Sequence, residues 1–177
     1  LKSTISDLFS PHSFSDMPCA INLVKKAQQN KEKIMVFGDY DVDGITATAI
    51  LWQVIYRIHP GVIPFIPHRE KDGYSIKAAS FFRFQKEKGI KFDLLITVDN
   101  GIVANVELKK IKAKQNIKII VTDHHLPGSK LPGVNAIVHS TEISGAGISW
   151  FLAKELDPLA DLGLAALGTV ADCLPLI

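Results

Sequence analysis

The chain has 177 residues, of which 47% are hydrophobic and 21% are charged, and its formal net charge at pH 7 is +2. This length and composition predict one folded domain with a sizeable core and exclude an intrinsically disordered chain. The small net charge excludes nucleic-acid binding that rests on overall charge alone. Lysines concentrate in three stretches, 25–33, 86–91 and 109–118, which we interpret as solvated helix faces.

The cysteines and the apolar runs bear on the cellular compartment. Cys19 and Cys173 form no pattern of paired spacings, and a lone cysteine in an apolar stretch, such as Cys173, is typically a small buried side chain. There is no signal-peptide pattern and no apolar run of about eighteen residues. We therefore expect a reduced, cytoplasmic protein without membrane contact.

Helices and strands alternate along the predicted chain. After an irregular segment, 1–15, the first helix is predicted with Asp16 as its N-cap. The predicted elements are, in chain order, helix 17–29, strand 34–38, helix 45–58, strand 62–66, helix 76–88, strand 93–98, helix 103–115, strand 117–121, a short strand near 136–138, and helices over about 147–156 and 159–171. Pro64 and Pro67 favour an edge position for the second strand.

This alternation predicts an α/β fold in three layers, with a mostly parallel sheet of about five strands flanked by helices, in a single domain over 1–177. The carboxyl ends of parallel strands meet at one edge of the sheet, where ligands bind. Carboxylate and imidazole groups follow three of the predicted strands. They are Asp39, Asp41 and Asp43 after the first strand, Asp99 after the third, and Asp123-His124-His125 after the fourth.

A cluster of this kind predicts a metal site. Two carboxylates about 4 Å apart repel by roughly 4 kcal/mol at an effective dielectric constant near 20, and a divalent cation relieves that repulsion. The spacing of Asp39, Asp41 and Asp43 superficially matches a calcium-binding EF-hand loop, but Ile50 stands where that loop needs a glutamate. Helix capping would explain one or two of these aspartates. We interpret all three as leaving a strand end and projecting onto one metal centre.

The other two segments have different alternatives. Asp99-Asn100-Gly101 could be an ordinary turn, but its position after an apolar strand favours a ligand that bridges two metals about 3.5–4 Å apart. In Asp123-His124-His125, one imidazole could bind metal while the other contacts a phosphoryl oxygen, and Asp123 could orient a histidine. The remaining histidines, His12, His59 and His139, we interpret as surface or structural groups.

These three motifs together resemble the DHH phosphoesterase superfamily. Within it, three longer stretches are similar to the RecJ-type single-stranded-DNA-specific exonucleases. They are Gly38 to Thr46, Pro67-His68-Arg69 with Gly73-Tyr74, and Ala166 to Asp172. The resemblance covers about residue 20 to the C-terminus, and the combination of motifs is specific.

The resemblance implies a site for two manganese or magnesium ions, closed by the C-terminal helices. The implied ligands are Asp39 and Asp41 on one metal, Asp43, His124 and Asp172 on the other, and Asp99 as the bridge. Spacing alone does not nominate Asp172. A set of oxygen and nitrogen ligands without thiolate suits manganese or magnesium better than structural zinc.

The resemblance also implies which residues handle the substrate. The implied catalytic groups are Asp99, His125 and Arg69, and the implied substrate-binding groups are Arg69, His68, Tyr74 and His125. Asp123 and Asn100 would hold these groups in position without contacting the metal or the substrate themselves. Arg69 would hold a phosphate through two hydrogen bonds, which a lysine could not reproduce.

Three departures from the family pattern bear on activity. Ser75 follows Tyr74 where relatives usually have glycine, and the stretch between Val138 and Ile143 is short. The second, DHH-associated domain with its Gly-Gly-His motif is absent from the sequence. We therefore expect a catalytic core that is weakly active on its own.

The expected parent activity is hydrolysis of phosphodiester bonds in single-stranded DNA from the 5′ end, in DNA repair and recombination. The expected partners are single-stranded nucleic acid, further domains of the parent chain, and repair or single-strand-binding proteins. Two alternatives use the same pocket: an enzyme acting on short oligoribonucleotides or cyclic dinucleotides, and a binding module that has lost turnover.

Overall fold

The computed structural model describes residues 14–174. The helices are α1 (Met17–Gln29), α2 (Val42–Ile58), α3 (Arg69–Asp72), α4 (Ala78–Lys88), α5 (Asn105–Lys114), α6 (Gly145–Leu156) and α7 (Leu162–Ala171). The strands are β1 (Ile34–Phe37), β2 (Val62–Phe65), β3 (Leu94–Val98), β4 (Lys118–Asp123) and β5 (Ala136–His139). His12 and most of the irregular segment predicted over 1–15 lie outside the described residues.

The strands form one sheet in the order β2-β1-β3-β4-β5, and every pairing in it is parallel. The predicted α/β class, the sheet of about five strands and the edge position of β2 are confirmed. Pro64 lies in that edge strand, where its missing N–H leaves no gap in an inner ladder. The parallel register brings the ends of β1, β3 and β4 to the same edge.

Successive residues of each strand enter two different cores because side chains alternate across a strand. Ile34 and Val36 pack in the core formed with α1, α2 and α6, whereas Met35 and Phe37 pack with α4 and α5. The molecule therefore has three layers, helix, sheet and helix, as predicted. The last helix, α7, packs on α2 and α6 rather than on the sheet.

Local capping accounts for two errors in the predicted helix boundaries. Helix α2 begins at Val42 rather than at residue 45, because the Asp41 side chain caps it by accepting a 2.8 Å hydrogen bond from Gly44 N–H. Helix α7 begins at Leu162 rather than at residue 159, because Asp161 caps that turn. The first change matters for function, since Asp43 now lies in a helix and not in a strand-end loop.

Asp16 is the N-cap residue of α1, as predicted, and its carboxylate accepts a 2.9 Å hydrogen bond from Ile137 N–H, which joins α1 to β5. The prediction for Cys173 is wrong. Cys173 is exposed rather than buried, because α7 ends at Ala171 and the chain turns at Cys173 with a φ of 55°. Cys19 is also free and exposed.

None of the helices within residues 14–174 is both long enough and apolar enough to cross a bilayer.

Candidate metal centre

Carboxylate and imidazole groups from distant parts of the chain meet at the carboxyl edge of the sheet. Three groups of residues each place ligand atoms within 4.8 Å of one another. They are Asp39, Asp41 and Asp99; then Asp43, His124 and Asp172; then Asp99, His124 and His125. Asp99 and His124 each belong to two of these groups, so the groups form one continuous cluster.

Asp39 and Asp41 leave the end of β1 in different environments. Asp39 is buried; its Oδ1 accepts a 2.7 Å hydrogen bond from Tyr40 N–H, and its Oδ2 is buried without a hydrogen-bond partner. Burial, together with repulsion from Asp41, raises the pKa of the Asp39 carboxyl. Asp41 is exposed and uses Oδ1 to cap α2.

Asp43 is the second residue of α2 and faces a different group from Asp39 and Asp41. Its two oxygens accept hydrogen bonds of 2.7 and 2.9 Å from Gly145 N–H and Ala146 N–H, the first free amides of α6. The positive end of a helix favours a carboxylate in this position. The interpretation that all three aspartates project onto one centre is therefore wrong, because the helix turns Asp43 towards His124 and Asp172.

Asp99 sits at the middle of the cluster in a strained conformation. Its φ is 59°, it is 1% exposed, and its Oδ1 has no hydrogen-bond partner, although His124 Nε2 lies 3.2 Å away. Burial and repulsion from Asp43 and Asp41 raise the pKa of Asp99 to about 10. A non-glycine residue held at positive φ costs about 1–3 kcal/mol, and such strain clusters at functional sites.

His124 connects the two ends of the cluster. Its Nε2 lies 3.2 Å from Asp99 Oδ1 and 3.7 Å from Asp43 Oδ2, and its Nδ1 lies 3.7 Å from Asp172 Oδ2. Asp172 is the C-cap residue of α7 and is part exposed. Helix α7 thus brings a carboxylate to the sheet edge from about fifty residues downstream of His124. Burial raises the pKa of Asp172, and His124 opposes that rise.

His125 lies beside His124, with the two ring centres 4.6 Å apart, and forms hydrogen bonds of its own. Its Nδ1 lies 2.8 Å from Asp123 Oδ1, and its Nε2 lies 2.8 Å from the Tyr74 hydroxyl. The hydrogen bond from His125 lowers the pKa of the buried Asp123 carboxyl against the opposing effect of burial, and the same bond raises the pKa of His125. His139 Nε2 donates a 2.7 Å hydrogen bond to the His125 carbonyl, so His139 is structural, as predicted.

Asp123 and Asn100 hold the residues of the cluster in position through hydrogen bonds to the backbone. Asp123 Oδ2 accepts from Ile102 N–H, and its Oδ1 accepts from the backbone of both following histidines. Asn100 is buried and donates to the carbonyls of Gly38 and Val98, which joins the ends of β1 and β3. Asp123 therefore orients His125, while Asn100 fixes the spacing between the two strands that supply the aspartates.

Arg69 and His68 lie at the start of the short helix α3. The Arg69 guanidinium stands 5.4 Å from the centre of the Tyr40 ring, which places it beside the loop that carries Asp39 and Asp41. His68 instead caps its own helix. Its ring Nδ1 accepts a hydrogen bond from Glu70 N–H at 3.3 Å, and its backbone N–H donates to the Asp72 carboxylate. The contacts of His68 are thus structural in this conformation.

Glycines at three positions let the backbone approach the carboxylates closely, and the sequence analysis missed this role. A β-carbon at Gly44 would lie 2.5 Å from Asp39 Cβ, one at Gly145 would lie 2.5 Å from Asp99 Oδ1, and one at Gly168 would lie 2.6 Å from Asp43 Oδ1. Any larger residue would displace a carboxylate. Only Gly168 gave a signal in the sequence, because it lies inside a predicted helix, where glycine costs about 1 kcal/mol relative to alanine.

The residues present fit divalent cations. Two buried carboxylate oxygens, Asp39 Oδ2 and Asp99 Oδ1, have no hydrogen-bond partner, although a buried polar atom normally has one. The donors around them are carboxylate oxygens and imidazole nitrogens, which manganese and magnesium accept, and the cluster contains no thiolate. Cation binding would also offset the burial and the repulsion that raise the pKa of Asp99.

A parallel α/β sheet with paired carboxylate and imidazole groups at its carboxyl edge defines a candidate divalent-metal protein. The model of the DHH family, N-terminal domain, matches residues 33–170. The chain belongs to the DHH family.

Curated relatives and solved structures agree with this assignment. The single-stranded-DNA-specific exonuclease RecJ of Bacillus subtilis (strain 168) is 40% identical over 185 residues, 97% of this chain and 23% of that protein. The RecJ of Thermus thermophilus is 37% identical over 89% of this chain and 25% of that protein. The chain thus spans about a quarter of the length of these relatives.

Two crystal structures share the fold over 96% of this chain. Exonuclease RecJ bound to manganese superposes with a TM-score of 0.83 at 33% identity, over 46% of that chain. RecJ from Thermus thermophilus in complex with Mn²⁺ superposes with a TM-score of 0.78 at 31% identity, over 26% of that chain.

Proposed function

We propose that this chain is the catalytic domain of a metal-dependent exonuclease that hydrolyses phosphodiester bonds in single-stranded DNA from the 5′ end. The observation that carries the proposal is the pair of ligand groups on either side of Asp99, one with Asp39 and Asp41 and the other with Asp43, His124 and Asp172. Relatives that are RecJ exonucleases, two of them solved with manganese, support the same activity and cofactor.

Asp39 and Asp41 would hold one Mn²⁺ or Mg²⁺ ion, Asp43, His124 and Asp172 would hold a second, and Asp99 would serve both. Bound cations would supply a hydroxide nucleophile near neutral pH and neutralise charge on the phosphoryl oxygens. The chain's own part is to hold the ligands in place before a cation arrives. Asn100 fixes the strand ends, and the backbone amides of α6 fix Asp43.

His125 is the proposed contact to the scissile phosphate. Asp123 raises its pKa, which favours the imidazolium form that donates a hydrogen bond to an anionic oxygen. His125 and Tyr74 line a cleft of about 400 Å³ together with Gly101 and Leu126, large enough to admit part of a nucleotide. Arg69, beside Tyr40, would add a two-pronged contact to a neighbouring phosphate.

The whole enzyme in this proposal is larger than this chain of 177 residues, since the curated relatives are about four times as long as the matched region. Further domains of a parent chain, and repair or single-strand-binding proteins, are the proposed partners. We propose a cytoplasmic, reducing compartment, in which the two free and exposed cysteines would stay reduced.

The test is cleavage of a single-stranded oligonucleotide labelled at one end, with Mn²⁺ present or removed by a chelator. The expected result is metal-dependent release of short products from the 5′ end, abolished by Asp99→Asn. Asp93→Asn is the matched control, because Asp93 lies at the opposite end of the same strand and its Oδ2 accepts from Lys33 N–H. Cleavage that survives Asp99→Asn or chelation would overturn the proposal.

A further inference from the structure

A second concave surface, of about 700 Å³, runs along α5 between that helix and the loop that follows β4. We call it the α5 groove. Its apolar lining includes Val106 and Leu108, and three lysines, Lys109, Lys112 and Lys130, also line it. All three lysines are exposed.

The two sides of α5 carry lysines in different states. On the far side of the helix, Lys110 is paired with Glu107 at 2.7 Å, and Lys114 lies 5.0 Å from the centre of the Phe82 ring. On the groove side, the residues that line the groove include no aspartate or glutamate. The lysines on both sides of α5 are exposed, in keeping with the predicted solvated faces, and the two sides differ in the partners of their lysines.

One groove lysine also orders the loop. Lys112 Nζ donates a 2.8 Å hydrogen bond to the Gly133 carbonyl, and Asn105 donates to the carbonyl of Lys130. These two contacts join α5 to the loop along most of the helix, which is about 15 Å long at 1.5 Å per residue. The loop is therefore held in place with Lys130 facing the same groove as Lys109.

The α5 groove and the cleft beside His125 are lined by neighbouring parts of the same two chain segments. Gly101, Val103 and Leu126 line the cleft, and residues from Asn105 to Ala113 together with Lys130 and Gly133 line the groove. A chain of phosphates that has one end at His125 would therefore meet the lysines next.

We propose that the α5 groove binds the phosphate backbone of the single strand whose terminal nucleotide lies at the metal centre. This inference rests on the proposed function, because it assigns the path of that same substrate. Lysine ammonium groups neutralise phosphates, and the apolar lining can accommodate bases that are not paired. The closeness of the groove residues to the cleft residues along both chain segments favours a nucleic acid over an acidic peptide.

Binding is tested on the whole chain without divalent metal, so that nothing is cleaved. The probe is a twelve-residue oligothymidylate with a fluorophore, followed by anisotropy from low to moderate salt. Lys109→Gln/Lys130→Gln is compared with Lys110→Gln/Lys114→Gln, which removes the same charge from the other side of α5. The groove pair should weaken binding about tenfold near 0.1 M salt and reduce the salt slope by about 1.4, and the control pair less than twofold.

Equal weakening by both pairs, or none by the groove pair, would overturn the proposal. So would displacement of the probe by polyglutamate as readily as by unlabelled oligothymidylate, since the groove would then hold any polyanion. With Mn²⁺, the groove pair should raise KM for the twelve-residue strand and leave a trinucleotide unaffected. If no variant cleaves either substrate but the binding difference persists, the proposed function fails while the groove stands.

Discussion

Gly145, the first residue of α6, lies so close to Asp99 that a β-carbon on the glycine would stand 2.5 Å from Asp99 Oδ1 and 2.6 Å from its Cβ. Asp99 is the proposed ligand shared by both cations. Its position depends on Gly145, a residue from the far side of the site, because the two lie so close together. The first turn of α6 thus does two things. It donates two backbone amides to Asp43, and at Gly145 it has no side chain and so leaves room for Asp99.

Gly145→Ala should push Asp99 away and weaken Mn²⁺ binding at least tenfold, since contacts this short force the neighbouring group to move. Calorimetric titration with Mn²⁺ measures the change. The control is Gly147→Ala in the same helical turn, where a β-carbon would lie 3.5 Å from Ser144 Oγ and meet only an ordinary contact. Equal affinity in the Gly145 variant and the wild type would contradict the proposed role of Asp99.

Asp43 and Asp172 are proposed ligands of the same cation but should differ in their effect on stability. Asp43→Ala leaves two buried N–H groups of α6 without an acceptor, so without metal the free energy of unfolding should fall by about 1–3 kcal/mol. Asp172→Ala removes a part-exposed carboxylate and should cost less than about 0.5 kcal/mol. Urea unfolding distinguishes the two, and both variants should lose one Mn²⁺. A stability loss of the same size in both would contradict the account.

The Asp123–His125 pair predicts a defined pH dependence of stability. The lowered pKa of Asp123 adds stability that is present above 3.8 and is lost as the pH falls through the folded-state value. The raised pKa of His125 adds stability that is present below 6.5 and is lost as the pH rises through its folded-state value. Both contributions are complete only between these two limits.

Asp123→Asn should therefore reduce the free energy of unfolding more at about pH 5 than at about pH 9. The measurement is urea unfolding of the metal-free wild type and variant at both values. The single variant His125→Asn serves as a check, because it should remove the same pH-dependent part. A stability difference that stays constant between the two pH values would show that the pair is not linked in this way.

Ser75 has a φ of 62°, a backbone conformation that favours glycine, and its buried hydroxyl has no hydrogen-bond partner. Relief of both penalties should outweigh the extra entropy of glycine in the unfolded chain. Ser75→Gly should therefore raise the melting temperature by a few degrees, for a gain of about 1 kcal/mol. Gly73→Ala, at a φ of 74°, should do the opposite. A lower melting temperature for Ser75→Gly would contradict this reading of the turn.

The fold could be predicted from the sequence because its signals are local. Each strand is a short apolar run between turn residues, and each helix repeats with the period of a helix, so order, type and parallel pairing follow. The meeting of Asp39, Asp99 and His124 also follows, since it needs only that parallel strands end at one edge. Helix starts were less certain, because a single side chain such as Asp41 decides them.

What the sequence could not provide depends on contacts between distant segments. The separation of Asp43 from Asp39 arises because α2 starts early and α6 supplies two amides to Asp43. Asp172 was predicted as a metal ligand only from the family resemblance, since no local pattern indicates that α7 reaches the sheet edge. The close approach of Gly168 to Asp43 likewise exists only after α2 and α7 have packed.

Whether two cations share Asp99 can be seen in an anomalous difference map from crystals of the chain soaked with Mn²⁺. We expect two peaks about 3.5–4 Å apart, one beside Asp39 and Asp41 and the other beside Asp43, His124 and Asp172, with Asp99 between them. A single peak, or peaks away from the carboxyl ends of β1, β3 and β4, would contradict the proposed two-metal site.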